Sequence, residues 1–116
     1  MKILGEQDFI QRERDGIRST YLLSKDNAPF TCLSLTSIRV MCGGIQERHV
    51  HHSSDQIWLA LAGEASLLID DGSIVALTAG QIVYFQAGDV HGVSNSTSND
   101  FSYLSITVPR QGFEQA

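Results

Sequence analysis

His49 and His51 stand two apart in the run His49-Val50-His51-His52, and forty residues after His51 comes His91, in Gly88-Asp89-Val90-His91. Side chains on an extended segment alternate with a period of two, so both imidazoles of an i, i+2 pair project to one face and can reach one ion. A helix would need i, i+4 spacing, as in the zinc protease signature. The pair therefore points this region toward β-structure and toward a metal site built on strands. Neutral imidazole is the commonest protein metal ligand, and with no cysteine nearby the site suits one borderline divalent ion: Fe, Zn, Ni, Mn, Co or Cu. The spacing names the geometry of the site and not its metal.

The rest of the chain is consistent with strands and turns from end to end. Ten glycines and many short apolar runs, without a long helical period, suggest an all-β barrel or sandwich in one domain of 116 residues. Asp8 to Arg14 and Ile17 to Ser24 read as a hairpin around Asp15-Gly16, a favoured turn pair. Phe30 to Cys42 reads as one long strand, broken by Gly43-Gly44 before Ile45 to His51. Further strands are expected at 56–61, 65–70, 73–77, 82–86, 90–94 and 101–108. The polar stretch 95–100 is expected to be a loop, and Arg110 to Ala116 a loose tail.

The glycines around the histidines complete a pattern. Gly43-x5-His49-x-His51-x4-Gln56-x6-Gly63 resembles the first cupin motif, in which the position of Gln56 is usually Glu. Gly80-x5-Gln86-x-Gly88-x2-His91-x3-Asn95 resembles the second, with Gln86 where Pro is usual. Sixteen residues, Glu64 to Ala79, separate the two motifs, a compact spacing similar to that of small single-domain cupins. The resemblance implies an all-β cupin double-stranded β-helix, a jelly-roll barrel, as a single domain over 1–116, with motifs at about 43–63 and 80–95. It also implies that His49, His51 and His91 are metal ligands, with Gln56 at the fourth ligand position. The competing account is a hydrogen-bonded histidine cluster in a barrel that has lost its metal.

Gln56 is the departure with the most chemical consequence. A carboxylate there would lower the charge of a divalent site, whereas Gln leaves three imidazoles and an amide around the full +2. Such an ion is a stronger Lewis acid, held less tightly, and attracts an anionic ligand. The amide oxygen can coordinate, or the amide can hydrogen-bond a ligand of the metal; both readings stay open. Asp55 could replace it only through a slip or bulge, because adjacent strand residues face opposite ways. His52 has the wrong parity for the cluster and is expected at the rim.

Parity also suggests a substrate pocket. An inward Gln56 carries Trp58 and Ala60 with it. Extending the parity of His49 backwards places Met41 and Arg39 inward, where Arg39 would anchor an acidic substrate, unless the Gly43-Gly44 break shifts the register and leaves it on a solvated face. Tyr103 is a further wall residue, and only one of Tyr84 and Phe85 can face the lumen.

The net charge of −5, from 13 acidic and 8 basic side chains, without a Lys/Arg run, weighs against nucleic acid as the partner. No amino-terminal stretch resembles a signal peptide and no apolar stretch approaches the roughly 20 residues that span a bilayer, so no membrane partner and a cytoplasmic location are expected. Cys32 and Cys42 are expected to be reduced thiols. No Gly-rich phosphate loop, Gly-x-Ser-x-Gly elbow or His-Glu-x-x-His stretch is present. The resulting expectation is a metal-dependent enzyme acting, dioxygenase-like, on a small and anionic organic molecule. A non-redox isomerase, cyclase or lyase and a non-catalytic ligand-binding module are the alternatives. The amino-terminal hairpin, with Phe9, Ile10, Tyr21, Leu22 and Leu23, offers apolar surface for a homodimer.

Overall fold

The computed structural model describes residues 1–113, which form ten strands in two antiparallel sheets. The strands are β1 (Ile10–Arg14), β2 (Ile17–Leu23), β3 (Ser34–Val40), β4 (Ile45–Val50), β5 (Asp55–Ala62), β6 (Glu64–Leu68), β7 (Ile74–Thr78), β8 (Ile82–Phe85), β9 (Val90–Ser94) and β10 (Phe101–Val108). The six-stranded sheet runs β1-β2-β3-β10-β5-β8 and the four-stranded sheet β4-β9-β6-β7. Strands adjacent in the chain repeatedly cross between sheets, which makes the pair a jelly-roll β-barrel closed around one core. Among the described residues no helix is long and apolar enough to cross a membrane.

Local chemistry places the elements. Asp15 and Gly16 both have positive φ, 54° and 75°, as a two-residue turn matched to the right-handed strand twist requires. Phe30 to Leu33, expected to be strand, is instead turn, and β3 begins at Ser34. Thr31 N–H donates to Ala28 O at 3.1 Å, while Thr31 O and Cys32 O accept from Arg110, so this backbone finds its partners outside a ladder. Gly63 joins β5 to β6 at φ 81°, where an added Cβ would collide with the Asp100 carbonyl.

The strand faces sort the core from the solvent. On β10 the odd residues Phe101, Tyr103, Ser105 and Thr107 are buried while the even ones are half-buried. Val40, Trp58, Phe85, Val93, Phe101 and Tyr103 meet in one cluster. Burial of each large side chain contributes on the order of 2 kcal/mol. Phe85 faces this core and Tyr84 faces out, 54 % exposed, which resolves that sequence alternative.

Beyond β10 the chain turns back onto the barrel. Arg110 donates its backbone N–H to Cys32 O, its Nε–H to Thr31 O at 3.0 Å and an Nη2–H to Pro29 O at 3.0 Å. Ser54 Oγ donates to Pro109 O at 2.6 Å. The segment 110–113 is thus docked where a loose tail was expected, because the guanidinium satisfies carbonyls that the β2–β3 connection leaves without partners. The remainder of that expected tail, 114–116, lies outside the described residues.

Candidate metal centre and pocket

β4 and β9 run side by side, with His49 opposite His91. The ladder is interrupted between Gln46 and His49: three steps along β4 match two along β9, from Val93 to His91. One extra residue is therefore accommodated as a bulge, which turns Gln46 and His49 to the same face despite their odd spacing. Gly92 makes this possible. A Cβ there would stand 2.6 Å from Gln46 O and 3.0 Å from Arg48 N, so only hydrogen leaves room for the bulged backbone.

The ring centroids of His49, His51 and His91 are 5.1, 4.3 and 5.2 Å apart pairwise, and one ring nitrogen from each lies within 4.8 Å of the others. His49 Nδ1 is 2.9 Å from Glu47 O, and His91 Nδ1 is 3.1 Å from Asp89 O. A carbonyl only accepts, so each Nδ1 carries the hydrogen and each Nε2 keeps its lone pair. Phe85 stacks on His91 at 4.6 Å, with Trp58 edge-on at 5.7 Å. Burial, more than the bond from Asp89 opposes, pushes His91 down to about 4. His51 is lowered as well, first by burial and then by His49. Burial thus favours the neutral ring at His51 and His91.

The His91 Nε2 atom is buried and has no hydrogen-bond partner among the described residues. Its ring is 2 % exposed. A buried polar atom left without a partner costs roughly 1–3 kcal/mol, and this one belongs to the three-histidine cluster.

Gln56, inward on β5, sits beside the cluster. Trp58 Nε1–H donates to its Oε1 at 3.1 Å, and its Nε2 donates to Thr107 Oγ1 at 3.0 Å and lies 3.4 Å from His51 Nε2. An indole nitrogen can only donate, so the oxygen end of the amide must face Trp58. The NH2 end consequently faces the histidines.

A cavity of roughly 520 Å³ adjoins the cluster, lined among others by His49, His51, Gln56, Trp58, Tyr103 and Thr107. Its wall grades along the strands. On β10 the lining passes from Tyr103 to Ser105 and Thr107, and on β3 from Ile38 to Thr36 and Ser34. Among the described residues no carboxylate lines it, while Lys25 and Arg110 do. Burial holds the Tyr103 phenol well above its ordinary range, so it stays protonated.

Two expected pocket residues are elsewhere. Arg39 points outward, with its side chain 55 % exposed and 3.9 Å from Asp100, and Met41 lies in the turn before β4 rather than on the cavity wall. The even residues of β3 face inward, because the Cys42–Gly44 turn and the β4 bulge both interrupt the alternation from which the inward placement was extended. His52 is exposed. Asp55 is not a loop residue: it begins β5, accepting from Tyr84 Oη and from Ala87 N at 2.8 Å. Both bonds hold its carboxyl below the usual range, the tyrosine first. Sequence reading missed Gln46, Ser105, Thr107 and Gln111. Alternation from Tyr103 would have found Ser105 and Thr107; nothing local pointed to Gln46 or Gln111.

Comparison with known proteins agrees with this architecture. The chain is 23 % identical over 92 residues to an oxalate-binding protein of Thermotoga maritima, covering 79 % of this chain and 75 % of that one. It is similar to the structure of a Cupin 2 conserved barrel domain protein from Salinispora arenicola, with a TM-score of 0.75 at 26 % identity over 95 % of this chain and 90 % of that one. A polyketide cyclase from Streptomyces resistomycificus shares the fold, with a TM-score of 0.81 at 18 % identity over 97 % and 82 % of the two chains. Residues 37–107 match the cupin domain family. Since that stretch includes both strands of the histidine cluster and both inward faces of β5 and β10, the chain belongs to the cupin domain family.

Proposed function

We propose that the chain holds one divalent transition-metal ion on His49, His51 and His91 and acts on a small organic anion bound beside it. The observation that carries this reading is the buried Nε2 of His91, without a partner among the described residues and set beside the rings of His49 and His51. Bonds of ~2.0–2.1 Å to a shared ion need nitrogens somewhat closer than 4.8 Å, a difference that small ring rotations close. Such an ion supplies Lewis acidity.

The chain's own groups supply the rest. Gln56, at the position where the resemblance implies a fourth ligand, offers N–H rather than oxygen to the cluster in its present orientation, which suits an anion better than a cation. Thr107 and Trp58 hold it in that orientation. The lack of lining carboxylates among the described residues and the presence of Lys25 favour negative charge in the cavity. A non-redox reaction, in which an enolate or carboxylate is stabilised by a cation and by the Gln56 amide, fits this donor set best. The kinship with a polyketide cyclase and an oxalate-binding protein agrees with it. Dioxygenase-like turnover is the second reading, favoured by the positions that three protein ligands leave open. A homodimer remains part of the proposal, with Ile10, 43 % exposed on β1, as surface for it; Tyr21 is not available, because it lines the cavity. Light scattering at high concentration tests this, and a monomer would refute it.

Metal analysis of untagged protein purified without chelator, alongside His91→Ala, tests the centre: about one equivalent that the variant loses is expected. Titration of the loaded protein with oxalate then tests the anion, and dioxygen uptake during turnover separates the two reaction classes. Full metal content in His91→Ala would overturn the assignment.

A further inference from the structure

The two ring nitrogens of His51 face two side-chain amides. Nε2 lies 3.4 Å from Gln56 Nε2, and Nδ1 lies 2.8 Å from the amide of Gln111, whose Nε2 end is turned toward it. A neutral imidazole has one acceptor nitrogen and one donor, so it cannot satisfy two amide N–H groups. A doubly protonated ring would satisfy neither. One amide must therefore present its oxygen, and the surroundings decide which.

Gln56 cannot turn. Its oxygen receives the Trp58 N–H at 3.1 Å, and a half-turn would set two donors against each other. Gln111 has no such constraint: its side chain is exposed and its amide makes no other hydrogen bond among the described residues. The two ends of a glutamine amide are nearly equal in shape, so a half-turn moves no heavy atom appreciably. The relay then reads from the core outward. Trp58 N–H donates to Gln56, the Gln56 N–H faces the lone pair on His51 Nε2, and His51 Nδ1–H donates to Gln111 Oε1.

We infer that Gln111, on the docked segment after β10, is a positioning residue for the histidine centre: by accepting the His51 Nδ1–H it holds Nε2 as the nitrogen that carries the lone pair. His49 and His91 receive the same service from backbone carbonyls two residues upstream, Glu47 O and Asp89 O. His51 lies just past the end of β4, and a side chain from the far end of the chain takes that place. Arg110 secures it by bonding Pro29 O and Thr31 O. The inference rests on the proposed metal centre for its purpose, but its evidence and its test are independent of metal.

The test is a long-range 1H–15N spectrum of metal-free, 15N-labelled protein, which distinguishes the two neutral tautomers of each histidine. Wild type is expected to show His51 with hydrogen on Nδ1. Gln111→Ala should shift His51 toward a tautomer mixture, leaving His49 and His91 unchanged, and Gln111→Glu, which keeps an acceptor, should restore the wild-type pattern. In a competition titration with Zn(II), Gln111→Ala should bind ~10- to 100-fold more weakly, the usual loss when a ligand's outer partner is removed, and Gln111→Glu should not. Hydrogen on Nε2 of His51 in wild type, or an unchanged His51 in Gln111→Ala, overturns the inference. If wild type binds no Zn(II), the proposed metal centre fails, and the metal-free spectra still decide the role of Gln111.

Discussion

His49 and His91 are register partners on neighbouring antiparallel strands, with their ring centroids 4.3 Å apart. Cross-strand neighbours at that distance are held by the backbone ladder between β4 and β9 rather than by side-chain freedom. Most of the centre's geometry is therefore set before any ligand arrives, and its sensitivity lies in the backbone that keeps the two strands in register.

Gly92 is the weakest point of that backbone. Gly92→Ala puts a Cβ 2.6 Å from Gln46 O, so the bulge must move or the strands must part. We expect a loss of about 1–3 kcal/mol of stability, as for other overpacked sites, and a weaker Zn(II) affinity. Urea denaturation and the Zn(II) titration measure the two; wild-type values for both would show that the bulge is not needed.

Acid should destabilise the metal-free protein in a defined window. His91 titrates at about 4 when folded, against 6.5 for an unperturbed imidazole. Between these values the unfolded chain binds the extra proton, so stability is complete above about pH 6.5 and falls as the pH drops toward 4. The expected loss from this group is about 2–3 kcal/mol, somewhat less than the full shift implies, because water reaches the cluster along the cavity. Denaturation midpoints between pH 7 and 4 check it, and a flat profile in both the parent and His91→Ala would contradict it.

Gln56→Glu should exchange one property for another. The added carboxylate can ligate a cation and lowers the charge of the centre, so Zn(II) should bind at least ~10-fold more tightly. Oxalate should bind the loaded variant correspondingly less well, since the N–H facing the cluster is gone. Unchanged oxalate affinity would show that Gln56 does not contact the anion.

Metal should also stabilise the fold. At a free Zn(II) concentration of 100 times Kd, the unfolding free energy should rise by about 2.7 kcal/mol. His91→Ala should remove this increment, and in the metal-free protein the relief of the unpartnered Nε2 should offset part of the cavity that the lost ring leaves. Thermal unfolding with and without Zn(II) gives both numbers.

The strand pattern was legible in the sequence where turns have a chemistry of their own. Asp15-Gly16 and Gly63 mark their turns, and ten strands occupy nearly the expected places. The start of β3 was not legible, because Phe30 to Leu33 has strand composition while Ala28 and Arg110 draw its backbone into other bonds.

Within the site, the residues by themselves determined the three histidines, their shared face and the chemical oddity of Gln56, because alternation along a strand is a local property. Tertiary structure alone decided that Arg39 faces solvent, that Trp58 turns the Gln56 amide, and that Gln111 reaches His51. Parity does not survive a turn or a bulge, and the orientation of an amide depends on partners that are close in space but distant in the chain.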